Sequence, residues 1–270
     1  MIWRAIFSRQ WILTTLLVLA GGALCVRLGI WQLDRLEQRR AFNAHVAAMR
    51  SAKPLTLVGQ PAGDLTAMEY RAVTTSGTYD FENQVALRNR YFQSESGYNL
   101  LTPLILDDGS ALLVDRGWIP ADGNTSPAGW QRYDQPGRVT LQGQIRLGQT
   151  EPDFGGVPDP ALAPGQTKLE FWNIVNLERI DQQSPYPLLE VYVQPAVDPA
   201  DMTPPIPYQP ELELSEGPHL GYAAQWFTFA SLLVLGYPFY VRKQLSKPSE
   251  GSPQGVARRI KPSEGFMEEK

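Results

Sequence analysis

Two apolar stretches stand near the ends of this chain and enclose a long, polar-to-mixed segment. They cover residues 11–33 and 219–241, so each is 23 residues long. At about 1.5 Å per helical residue each reaches roughly 30 Å or slightly more, the thickness of a bilayer's hydrocarbon core. The pattern predicts two transmembrane helices holding one extramembrane domain, residues 34–218, between them. That segment is long enough for a single domain with its own core. A mean hydropathy of −0.25 looks soluble only because the apolar residues are concentrated in two places.

Charge orients the pair. Residues 1–33 carry Arg4, Arg9 and Arg27 and no acid, and residues 242–270 carry seven basic and four acidic residues. The segment between the spans holds 14 basic and 24 acidic residues. Arg242 and Lys243 follow the second span, and Glu211, Glu213 and Glu216 precede it. The positive-inside bias therefore puts residues 1–10 and the polar, disorder-prone tail 242–270 in the cytoplasm (or an organelle's matrix) and the acidic domain outside. The first apolar run is too long for a signal-peptide core and no Ala-x-Ala site follows it, so an anchor is expected rather than a cleaved leader. Leu24 before Cys25 disfavours a lipoprotein. Cys25 is the sole cysteine, which excludes an intramolecular disulfide and a thiolate metal cluster.

Within the spans, Trp11 and Trp31 bracket the first helix like interfacial belts. Gly21, Cys25 and Gly29 recur every four residues and predict close contact with the second helix. Arg27 either snorkels to the outer interface or meets an anionic group between the helices. Gly217 and Pro218 open the second span, placing His219 in its first turn. His219, Tyr222, Ala223 and Trp226 then share one face. A helix N-terminus disfavours imidazolium and leaves the neutral ring that a metal or haem iron needs. Spacing alone leaves His219 open between an interfacial anchor and such a ligand. Tyr222 and Trp226 could flank a flat macrocycle.

The middle segment is β in grain. Residues 70–79, 84–92, 97–106, 110–118 and 137–146 are short β-rich runs between turn signals, with Asp107-Asp108-Gly109 predicting a tight hairpin. Runs 168–174 and 188–194 flank a short helix near 176–182. The expectation is a membrane-anchored α+β protein whose domain is a mostly antiparallel β-barrel or sandwich. Residues 150–165 read as a Pro/Gly-rich loop and 199–210 as an extended lead-in to the second span. His45 reads as a surface residue on a helical continuation of the first span. No phosphate cradle, His-x-x-x-His pair or nucleophile elbow stands in the sequence, and the acidic domain argues against nucleic acid.

Several segments fall together in order: Gly29-Ile-Trp31-Gln32-Leu33-Asp-Arg35, Tyr70-Arg71 ahead of Gly77-Thr-Tyr79, Leu87-Arg88-Asn89-Arg90, Gly97-Tyr98, Asp115-Arg116-Gly117-Trp118, and His219-Leu-Gly-Tyr222-Ala-Ala-Gln225-Trp226-Phe227. Between two anchors, this set resembles the Surfeit locus protein one family of bacterial type, membrane assembly factors for haem-copper cytochrome c oxidase. The match runs from the first span to about Val241. Asn173 departs from it, standing where a second aromatic is common. The resemblance implies a chaperone, not an enzyme, in a bacterial inner membrane, that binds haem a and helps insert it into the oxidase's catalytic subunit. It implies His219 as the axial ligand to haem iron, with Tyr222 and Trp226 packing on the ring and Arg27 or Arg35 meeting propionates. Arg88, Arg90 and Arg116 are expected to serve folding. The implied partners are the catalytic subunit, the haem a synthesis machinery and the lipid bilayer, with a second copy of the chain left open. A scaffold that clamps the nascent subunit without holding haem is the alternative.

Overall fold

A computed structural model describes residues 2–59 and 63–246, and the chain divides into two compact units, Met1–Arg39 with Glu216–Lys270, and Arg40–Ser215. The tail expected to be disordered lies, from residue 247 onward, outside the described residues. In chain order the helices and strands are α1 (Ile2–Ile6), α2 (Ile12–Ser51), β1 (Leu55–Leu57), β2 (Ala72–Tyr79), β3 (Val85–Phe92), β4 (Glu95–Ile105), β5 (Ala111–Pro120), α3 (Pro127–Trp130), β6 (Arg138–Arg146), β7 (Phe171–Trp172), α4 (Leu177–Asp181), β8 (Leu188–Pro195) and α5 (His219–Leu245).

Helix α2 is 40 residues long, about 60 Å at 1.5 Å per residue. It continues 18 residues past the expected end of the span at Leu33, because the Leu-, Arg-, Glu- and Ala-rich sequence that follows favours helix. Pro54 bars further propagation, and the helix ends at Ser51. Among the described residues α2 alone is both long and apolar enough to cross a membrane. The second expected span is helical throughout, and α5 even extends to Leu245. Its apolar content is diluted by Tyr222, Gln225, Tyr237, Pro238 and Tyr240.

The other unit is a barrel rather than a sandwich. Strands β2, β6, β8, β5 and β4 pair in that order, and β2 returns to β4 through Thr78↔Ile105 and Tyr79↔Leu104, closing five strands into a ring. β1 adds to the outside of β2, and β3 and β7 continue the sheet beyond β4. Most ladders are antiparallel, but β1–β2, β3–β7 and β5–β8 are parallel. The predicted hairpin forms: Gly109 takes φ +84° between β4 and β5, and Asp108 accepts from the Ser110 backbone and hydroxyl. The run 168–174 reduces to two paired residues. Its other apolar side chains, Leu169 and Ile174, are buried by packing rather than by the ladder.

Alternation sets the two cores. Val73, Leu104, Leu112, Val114, Ile145, Val191 and Val193 fill one cluster. Leu113, one residue out of step, joins Val85, Leu87, Leu101, Trp172, Ile180 and Tyr192 in another. β5 is therefore buried at nine of its ten positions, unusual for a strand carrying Asp115 and Arg116.

Those two charges are structural. The Arg116 guanidinium lies 5.1 Å from the Tyr79 ring and 5.2 Å from the Phe81 ring. It donates to Gln84 Oε1 at 3.1 Å and to the Tyr133 carbonyl. With 5% of its surface exposed it cannot reach a ligand, in line with the folding role expected of it. Asp115 accepts from Asn99 Nδ2 at 3.0 Å and from the Gly117 amide at 3.2 Å. Gly117 has φ +116°, and a Cβ there would lie 2.2 Å from the Ile206 carbonyl oxygen, so this position admits only glycine. The Arg88 guanidinium stacks 4.9 Å from the Phe171 ring, again within the domain.

Burial pushes the Asp115 carboxyl up from its ordinary value and the Arg116 guanidinium down. A carboxyl raised in the fold stabilises most below its unfolded value near 4, and that stability is lost as pH rises through the folded value. The wild type's thermal midpoint should therefore fall as pH rises above about 4, and Asp115→Asn should flatten that fall; an unchanged slope would exclude Asp115 as its source. Arg116→Lys keeps the charge but loses the planar fork and the ring stacking. It should lower the domain's unfolding free energy by about 1–3 kcal/mol, read by denaturant titration of tryptophan fluorescence.

Candidate functional site

The candidate site lies in the helical unit. Thr15, Gly22, Gly29 and Leu36 are buried along α2 at every seventh position, interleaved with Trp11, Val18, Cys25 and the buried Gln32. That is the seam of a left-handed helix pair. On α5 the buried residues Ala223, Ala230 and Tyr237 repeat at the same interval. A Cβ on Gly29 would stand 2.7 Å from the Phe227 ring, and one on Gly22 2.7 Å from Val234 Cγ2. Thr15 and Tyr237 share a hydroxyl hydrogen bond of 2.8 Å. The pairing is antiparallel. The expected contact between the helices exists, but its closest approaches are at Gly22 and Gly29 rather than along Gly21, Cys25 and Gly29. A row at four-residue intervals drifts about 40° per step around a helix, whereas alternating steps of three and four stay in register.

At the other end of this pair stands His219, partly exposed in the first turn of α5. Its Nδ1 lies 2.8 Å from Gln32 Oε1. An amide oxygen only accepts, so Nδ1 carries the proton of that bond, and a ring with one proton so placed has its lone pair on Nε2. Gly217, at φ +68°, precedes it; a Cβ there would lie 3.5 Å from Nε2 and 3.4 Å from Cδ2. Its lack of a side chain keeps a Cβ out of contact with that edge of the imidazole.

Tyr222, 47% exposed, follows on the same face one turn along. Trp226 is half-buried and meets the Phe229 ring edge-on at 6.0 Å. Arg35 is exposed, lies 5.7 Å from the Trp31 ring and donates to Gln38 Oε1 at 2.9 Å. It sits one turn beyond Gln32 on a neighbouring strip of α2. Arg27 is not brought to His219. It is exposed, and at 100° per residue it lies on the face of α2 roughly opposite Gly22 and Gly29. Of its two readings, the outward one fits and contact with α5 does not.

Sequence reasoning missed Gln32 and Gly217 as parts of the site. Gln32 was visible as a polar residue three positions after Gly29, in line with the seam. The described residues also hold a cavity of about 450 Å³ in the barrel unit, lined by Thr66, Leu147, Leu177, Glu178, Asp181 and Glu190. A groove of about 420 Å³ runs on α5 along Phe227, Ser231, Leu235 and Phe239. Neither is lined by His219.

Comparison with known proteins matches the profile of the SURF1 family to residues 19–231. A SURF1-like protein of Mycobacterium bovis is 25% identical over 264 residues, 93% of either chain. A SURF1-like protein of Rickettsia bellii is 28% identical over 88% of this chain and 94% of its own. The human Surfeit locus protein 1 is 28% identical over 54% of this chain and 51% of its own.

The seam makes a specific test. Gly29→Ala should lower the thermal midpoint of the detergent-purified protein, with a cost of about 1–3 kcal/mol from overpacking. Phe227→Ala in the same chain should restore part of it, giving a coupling energy of at least about 0.5 kcal/mol in a double-mutant cycle. Strict additivity would mean the helices do not meet there.

Proposed function

We propose that this chain, which belongs to the SURF1 family, is a two-pass membrane protein that carries haem a on His219 for insertion into the catalytic subunit of cytochrome c oxidase. The family has a general link to cytochrome c oxidase assembly, and its members are assembly factors. The observation that carries the haem reading is the His219–Gln32 hydrogen bond, which turns an ordinary interfacial histidine into one with a defined free nitrogen.

The residues present fit the cargo. A porphyrin brings four nitrogens of its own, so one protein imidazole is enough, and Gly217 puts no Cβ in the way of a flat ring approaching Nε2. Bound haem a would supply the iron, and His219 would hold it through Nε2 while Gln32 keeps Nδ1–H. Tyr222 and Trp226 offer aromatic surface on the same face. Arg35 offers a propionate partner close to the pair's outer end, whereas Arg27 would serve only from the outward face of α2.

The antiparallel pairing supports two crossings. If α2 spans the bilayer, a helix packed along it through Gly22 and Gly29 spans with it, and Pro238 is tolerated inside such a helix. Arg242 and Lys243 in the last turn of α5 then mark the cytoplasmic end, leaving the acidic barrel unit outside in a bacterial inner membrane. The catalytic subunit and the haem a synthesis machinery are the partners this reading requires.

The test is an absorption spectrum of the detergent-purified protein from cells that synthesise haem a, beside His219→Ala. A Soret and an α band of haem a should appear in the wild type and fall at least about tenfold in the variant, with unchanged helix and sheet content by circular dichroism. Equal haem in both would remove His219 from the role. No haem in either, with the oxidase subunit still co-purifying, would establish the haem-free scaffold instead.

A further inference from the structure

We propose that Gln32 is the positioning residue of the His219 site, and that its being a neutral amide keeps the site fit to release what it binds. The inference rests on the reading of His219 as a ligand, but its first observation concerns the empty protein.

Gln32 is 9% exposed and stands in the seam three residues after Gly29, where α5 comes closest. Its amide oxygen meets Nδ1 of His219 at 2.8 Å. A free imidazole exchanges its proton between two nitrogens; this acceptor selects the Nδ1–H form and fixes the ring plane. The lone pair of Nε2 then points where Gly217 leaves no side chain. A ligating histidine commonly donates its other N–H to a carboxylate, a backbone carbonyl or water, which raises its basicity and tightens the bond to metal. A carboxylate would do so most, through its charge. The amide gives the same orientation without the negative charge, and so without the added grip. For a carrier that must hand its cargo on, that weaker grip is the useful one. No charge need be buried in the seam either, which a carboxylate would demand at a cost.

The chain holds two histidines, so histidine labelled with ¹⁵N gives two resolvable rings, and His45→Gln assigns them. In haem-free protein the His219 ring should show a protonated Nδ1 and an unprotonated Nε2. Gln32→Leu should lose that preference. An Nε2–H ring in the wild type, or no change in Gln32→Leu, would overturn the proposal before haem enters. The second arm uses haem a, read by its absorption bands and by transfer to a haem-accepting globin. Gln32→Leu should weaken binding about 10–100-fold. Gln32→Glu should bind at least as tightly as wild type and release several-fold more slowly. Release from Gln32→Glu at or above the wild-type rate would overturn the second half of the proposal. If His219→Ala binds haem a as well as wild type, the ligand reading fails, while the tautomer result still stands or falls on its own.

Discussion

The close approach of α5 to α2 governs what the helical unit can do. In a lipid environment there is little hydrophobic gain in bringing two apolar helices together, so the contact has to come from van der Waals packing and from polar ties. Gly22 and Gly29 supply the first by letting Val234 and Phe227 press onto bare backbone. Thr15–Tyr237 and Gln32–His219 supply the second, one at each end, separated by 17 residues of α2 or about 25 Å. The Thr15 hydroxyl also donates toward the Ile6 and Trp11 carbonyls, so the first tie is part of a small polar cluster. A one-residue slip of α5 would break both while moving bulk onto the glycines. The register of the helices and the tautomer of His219 are thus one constraint.

The barrel unit reverses the usual meaning of charged residues. Asp115 and Arg116 sit side by side on its most buried strand, yet they do not form an ion pair with each other. Arg116 is held between two aromatic rings with amide and carbonyl acceptors, and Asp115 by an amide side chain and a backbone N–H. Buried charges kept this way fix one arrangement rather than add net stability. The bulge between Leu100 and Leu101 opposite them, and Gly117 beside them, are the local distortions that make room.

Sequence alone gave the β-rich character of the domain, six of its strands to within two residues at the start, and the Asp107–Gly109 hairpin. These rest on local signals: alternation, β-branched runs and turn chemistry. Barrel against sandwich was not legible, because closure depends on Thr78 and Tyr79 meeting β4 and no local pattern records that pairing. The short strand β1 was missed because its partner, β2, lies 18 residues on, in parallel. In the site, His219, Tyr222 and Trp226 could be placed on one face from spacing alone. Gln32 could not be joined to them, since its role appears only when an antiparallel helix arrives 187 residues later. Arg27 stayed open between facing inward and outward, because the heptad phase of the seam is set by the partner helix.

The strand order of the barrel also dictates when it can exist. β8 inserts between β6 and β5, so the ring is incomplete until the chain has been made as far as Pro195. The β4–β5 hairpin can zip early across the five residues between Ile105 and Ala111, whereas β2 must find β6 over a separation of 72 residues at Ala72↔Gln144. Such long-range pairing is slow relative to local pairing. The closing joint, β2 to β4, consists of two residue pairs and needs Gly77, where a Cβ would fall 2.3 Å from the Ile105 carbonyl oxygen. During synthesis the domain therefore passes through a stage with unpaired edges, and α5 emerges only after the last strand. The α2–α5 pair can therefore form only after the last barrel strand has been made.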